Sequence, residues 1–252
     1  MEENSHFIEG IYNYCDRWCE RCKYTDRCYS FQMDVEDGID PLNRDLSDEE
    51  VWAHVGKRLG QALQMLSEMA AEQGIDLDNL PEVEEEPPSE RAARLEALCE
   101  EIHEEYIERC RSFFEENKTY FKDKGHETIS WVEMGISGEE EALAKWEEVS
   151  DQAHVIQWYT YFVGVKMRRA ICGLDDMHED HWGSPEQSDA NRTARIVMVA
   201  IERSMAGWQM MLDAFPEKED GIVQALALLA RLRRMAVTTF PRWAEAGPDV
   251  VW

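Results

Sequence analysis

Cys15, Cys19, Cys22 and Cys28 fall within fourteen residues, spelling C-x3-C-x2-C-x5-C in the run YCDRWCERCKYTDRC. Four soft thiolates this close in sequence can wrap one metal centre without long-range folding, and tetrahedral sulfur coordination suits Zn(II) or an iron–sulfur cluster. Arg17, Arg21, Lys23 and Arg27 interleave with the thiols. Positive neighbours lower thiol pKa values and offset the charge of bound sulfurs. Tyr12, Tyr14, Trp18, Tyr24, Tyr29 and Phe31 are available to exclude water. Structural zinc sites usually join two separated knuckles, whereas only one is present here, Cys19-x2-Cys22. The compact run therefore points first to a cluster of 4Fe–4S type, with Zn(II) as the alternative. Ordinary spectator thiols are the competing interpretation.

The first three cysteines, as C-x3-C-x2-C, resemble the radical S-adenosylmethionine signature, in which three cysteines leave one iron open to the cofactor. Here Cys28 is available to fill that position, and neither a βα alternation nor a glycine-rich segment follows. The runs IYNYCDRWCERC and SDANRTARIVMVAIERSMAGW resemble an uncharacterised bacterial protein family. The resemblance implies no function.

A second candidate centre is a carboxylate–histidine site of ferritin-like di-metal type. Such sites use two Glu-x-x-His pairs and a Glu from each of two further helices. Glu100-x-x-His103 matches one pair, and Asp151-x-x-His154 is a near match with Asp for Glu. Glu202 lies in the apolar stretch IVMVAIERSMAGW, where burial is expected. No fourth-helix Glu is apparent. Core hydrogen bonding of His103 and His154, and pairing of Glu202 with Arg195 or Arg168, explain the same residues without a metal. His178 and His181, among acidic neighbours, are a third and weaker ligand set. Cys99 and Cys110 share one helical face and are too far apart for a mutual disulfide.

The elements that must position these residues are helical. Ser47-Asp-Glu-Glu50 is a capping box opening a helix to about Glu72, with Val51, Val55, Leu59, Leu63 and Leu66 at helical spacing. A Pro/Glu linker covers 81–90. A helix follows over about 90–121, then a connection over 122–137 in which TISWVEM has strand character. Ser137-Gly-Glu-Glu140 starts a helix to Cys172. The run from Ser184, with Asp189 as a competing cap, starts another to Phe215, and a last helix spans 217–240. The expectation is an all-α bundle of about five helices over 47–252, preceded by an irregular four-cysteine segment over 1–46.

The 252 residues, 44% hydrophobic, suffice to build a core. A net charge of -27 repels phosphate backbones and anionic headgroups, so nucleic acid and membrane surfaces are poor partners, while an unidentified protein partner stays open. No apolar run reaches a membrane span, and the acidic N-terminus lacks a signal-peptide core. The expected location is cytoplasmic, where thiols stay reduced and clustered cysteines favour metals. No phosphate loop, dinucleotide fingerprint or nucleophile elbow is present, so no reaction is legible.

Overall fold

The computed structural model describes residues 6–42, 47–80, 87–135, 139–175 and 184–247. Among them are six α-helices and no strand: α1 (Tyr29–Glu36), α2 (Asp48–Gln73), α3 (Glu90–Glu133), α4 (Glu139–Cys172), α5 (Asp189–Ala214) and α6 (Glu219–Thr239). The all-α expectation holds. Among the described residues no helix is long and apolar enough to cross a membrane. The chain divides into two compact units. The first comprises Met1–Glu9 and Trp18–Pro87; the second comprises Gly10–Arg17 and Pro88–Trp252.

The second unit is a four-helix arrangement in which α4 packs on α3 and α5, and α6 packs on α3 and α5. Its core follows from the apolar stripes. Tyr106 and Phe113 of α3, Ile156 and Tyr159 of α4, Ile201 and Trp208 of α5, and Leu229 and Leu232 of α6 are all buried. The Trp208 indole donates to the Tyr106 hydroxyl at 3.2 Å, satisfying a polar atom that burial would otherwise strand. Phe113 meets Trp208 edge-on with centroids 5.0 Å apart.

α3 runs 44 residues, through the segment where the sequence suggested a connection and a short strand. Gly125 does not break it. A Cβ there would lie 2.9 Å from Trp146 Cζ2, so this glycine lets the α4 indole lie against the α3 backbone. The Thr128 hydroxyl donates to the Lys124 carbonyl at 3.0 Å, and Lys124 pairs with Glu127 at 2.9 Å, both helical-spacing contacts. The helix ends at Met134, before Gly135 at φ 67°. Ser137 of the expected second capping box, and linker residues 81–86, lie outside the described residues.

Ser188, not Asp189, caps α5, its hydroxyl accepting from the Asn191 amide at 3.3 Å. Asp189 takes the first helical position, where a carboxylate suits the helix dipole.

In the first unit the capping box of α2 forms as expected. The Ser47 amide donates to Glu50 Oε2 at 2.8 Å, and the Glu50 amide donates to Ser47 Oγ at 3.4 Å. The helix stops at Gly74 in the left-handed region, φ 68°. α1 was not foreseen. It pairs with α2 through Arg58 to Asp34 (2.5 Å) and Asp37 (2.8 Å), and Lys57 to Asp37 (3.1 Å). The apolar stripe of α2 is not covered: Trp52 is 71% and Leu59 59% exposed. Among the described residues this unit buries only Trp18 and Ala70.

Candidate metal-binding segment and its anchor

Cys15 belongs to the short stretch Gly10–Arg17 that is part of the helical unit. Gly10, in the left-handed region at φ 66°, turns the chain into a 3-10 turn over Ile11–Asn13, and Ile11 is buried. The Cys15 thiol points to the Tyr12 carbonyl at 3.6 Å. Two polar clamps flank it.

Tyr14 forms the first. Its hydroxyl donates to Asp189 Oδ1 at 2.9 Å. Arg169 grips the same carboxylate with two nitrogens, Nε to Oδ2 at 3.1 Å and Nη2 to Oδ1 at 2.5 Å. The Arg192 guanidinium lies 3.7 Å from the Tyr14 ring centroid, a cation–π contact. Burial alone would push the Asp189 carboxyl up; hydrogen bonds from Arg169 and Tyr14 outweigh it and hold the group below the usual carboxylate range. Burial, and then the Asp189 carboxylate, push the Tyr14 phenol up.

Asp16 forms the second clamp and is only 1% exposed. Its carboxylate accepts from the Tyr159 hydroxyl at 2.5 Å and from Arg203 Nη1 at 3.4 Å, and Arg203 also donates to Tyr159 Oη at 2.9 Å. The Trp158 indole donates to the Asp16 carbonyl at 3.2 Å. Burial, followed by the Asp16 charge, pushes the Tyr159 phenol far up, so it stays a proton donor. The next residue, Arg17, is a non-glycine in the left-handed region at φ 59°.

Cys19, Cys22 and Cys28 belong to the other unit. Cys19 opens a 3-10 turn through Arg21, Cys22 follows it, and Cys28 precedes α1 after a second turn over Thr25–Arg27. The Tyr24 amide donates to Cys22 Sγ at 3.4 Å, the type of N–H···S contact that steadies a thiolate. Of the basic residues expected around the thiols, Arg21 lies over the Trp18 ring at 3.9 Å and Lys23 over Tyr24 at 5.2 Å. All four cysteines are half-buried, and none forms a disulfide. Among the described residues no three His, Cys, Asp or Glu side chains are grouped to hold a metal ion.

The carboxylate–histidine set is not brought together. His154 and Glu202 are exposed, contrary to the expectation of burial. Glu202 sits ~100° round the helix from buried Ile201, enough to leave the core stripe formed with Val197, Ser204 and Trp208. It pairs with Arg233 at 3.2 Å, not with Arg195 or Arg168. His154 shares an exposed side of α4 with Gln157 and Tyr161, so the polar line seen in the sequence is a solvent face. Glu100 is exposed and pairs with Arg168 at 3.4 Å, and Asp151 is half-buried. His178 and His181 lie outside the described residues.

His103 alone is buried, and its Nε2 lies 2.8 Å from the Thr160 carbonyl, so that nitrogen carries the proton. Burial holds the imidazole below the usual histidine range, partly offset by this hydrogen bond. The sign of the pH effect follows. The unfolded chain takes up a proton near pH ~6.5, while the folded chain does so only lower. The His103 contribution is complete above about 6.5 and is lost as pH falls toward the folded value. Urea unfolding of wild type and His103→Gln checks it: the wild-type advantage should shrink between pH 7.5 and 5, and an advantage that grows would contradict this assignment.

Of the anchor residues, Asp16, Tyr159, Arg203 and Arg169 were not singled out by sequence, and Asp189 was noted only as a competing helix cap. The available signal was two carboxylates and two arginines near apolar runs, each of which needs a partner once buried. No protein-family model matches this chain, and no curated protein or solved structure is significantly similar to it.

Proposed function

We propose that the protein is a helical metalloprotein in which Cys15, Cys19, Cys22 and Cys28 bind an iron–sulfur cluster of 4Fe–4S type, in a redox or electron-transfer role. One observation carries the reading. The unit that contains three of these thiols buries only Trp18 and Ala70 among its described residues. So small a core gives little folding free energy, and thiolates closing on a metal supply what is missing. Of the other three cysteines, Cys172 is exposed at the end of α4, away from the run in sequence, and two are set apart by burial. Cys99 and Cys110 are buried, with thiols pushed up to about 11 by desolvation, and are poor ligands. The four N-terminal thiols are half-buried and remain accessible. Binding would draw the run together, which couples it to folding of the segment.

The exposed apolar side of α2, with Trp52 and Leu59, favours a second reading. In it the same thiols hold Zn(II) as a staple, and the helices present a surface to a protein partner.

Anaerobic reconstitution separates the two. A cluster gives a brown protein absorbing near ~400 nm, whereas zinc leaves it colourless. Removing the metal with a chelator should speed amide exchange over residues 1–46 and leave most of the helical circular dichroism, because α3–α6 bury their own core. A cooperative loss of most helix signal would overturn the assignment of the metal to a separable segment.

A further inference from the structure

The helical unit contains a cavity of about 540 Å³ bounded by the C-terminal part of α3, the start of α4 and the end of α5. Ligand sites typically occupy about 300–1,000 Å³ and combine apolar walls with a few polar groups. Trp131, Trp146 and Phe215 supply aromatic wall, and Lys124, Lys145 and Glu141 supply charge. Gly125 fixes one wall, since any Cβ there would be driven into the Trp146 indole. Trp131 is 44% exposed, an apolar expense in water that a bound ring would relieve. The two ammonium groups run against the background of a chain with 53 acidic and 26 basic residues. Glu127 already engages Lys124 at 2.9 Å, so Lys145, which shares the cavity wall with Glu141, is the cation assigned to an incoming carboxylate.

We infer that this cavity binds a flat aromatic carboxylate, its ring against the indoles and its anionic group at Lys145. The chemistry is complementary on both counts: π-faces for a planar apolar body, and an ammonium for the anion. It is independent of the cysteine segment.

Calorimetric titration of the full chain with 2-naphthoate tests it, with 2-naphthylmethanol and 2-naphthylmethylamine as the neutral and cationic counterparts. Saturable one-to-one binding of the carboxylate is expected, about tenfold tighter than the alcohol or amine. Ala142→Phe, which fills the cavity, should abolish binding, and Lys145→Glu should weaken the carboxylate about tenfold while leaving the alcohol unchanged. Circular dichroism of both variants verifies that they are folded. Absence of saturable carboxylate binding, tighter binding of the amine, or full binding by folded Ala142→Phe would each overturn the inference.

Discussion

Gly164→Ala is expected to destabilise the helical unit by about 2–3 kcal/mol, the upper part of the range for overpacking a rigid core. A Cβ on this glycine would lie 2.0 Å from His103 Nδ1, 2.2 Å from Cε1 and 2.4 Å from Cγ. The imidazole has no easy retreat, because it is buried and bound through Nε2 to the Thr160 carbonyl at 2.8 Å. Either the ring abandons that bond or α3 and α4 separate. Urea unfolding measures the loss, and a double-mutant cycle with His103→Ala should return a favourable coupling between the two changes. Gly60→Ala is the control: nothing lies within 4 Å of its Cβ position, and α2 should gain about 0.5–1 kcal/mol of helix propensity. A Gly164→Ala protein as stable as wild type would refute the packing described for α3 against α4.

Asp16→Ala is expected to release the stretch 10–17 from the helices at a cost of about 2 kcal/mol. That figure is below the 3–5 kcal/mol typical of breaking a fully buried pair, because the Arg203 side chain is 30% exposed and stays hydrated. Tyr159 has no such relief: its ring is fully buried and its hydroxyl loses the acceptor at 2.5 Å. Amide exchange over residues 10–17 should accelerate by more than tenfold, about what 1.4 kcal/mol of lost protection produces, while α5 and α6 remain slow. Asp16→Asn keeps an oxygen for Tyr159 and should lose less. Unchanged exchange in Asp16→Ala would mean that the carboxylate does not hold Cys15 in place.

Much of the helical framework was legible because its signals are local. The capping box at Ser47 and the stop at Gly74 act within a few residues, and both formed. The ends of α4 and α6 followed likewise, at Gly173 and before Pro241. The connection expected over 122–137 is helical to Glu133 because tertiary packing, which the sequence does not display, extends α3: Gly125 lies against the Trp146 indole of α4. Glu202 misled for a related reason. Apolar neighbours in sequence do not bury a residue when the helix turns it away, and Arg233, thirty-one residues on, was not a visible partner. The clamp at Asp16 joins residues 143 and 187 positions apart, beyond any periodicity argument. The cysteine run was legible as spacing alone, since chemistry at a metal depends on where sulfurs meet, which spacing permits without enforcing.

Metal and acid-labile sulfide analysis of anaerobically reconstituted protein, beside Cys19→Ser and Cys110→Ser, tests the central claim most directly. The wild type and Cys110→Ser should hold about four iron and four sulfide per chain, the composition of a 4Fe–4S cluster, and Cys19→Ser should hold far less. About one zinc without sulfide would select the structural-staple reading. Wild-type protein that retains no transition metal near stoichiometry, or a Cys19→Ser protein that retains as much as wild type, would contradict a metal centre at Cys15, Cys19, Cys22 and Cys28.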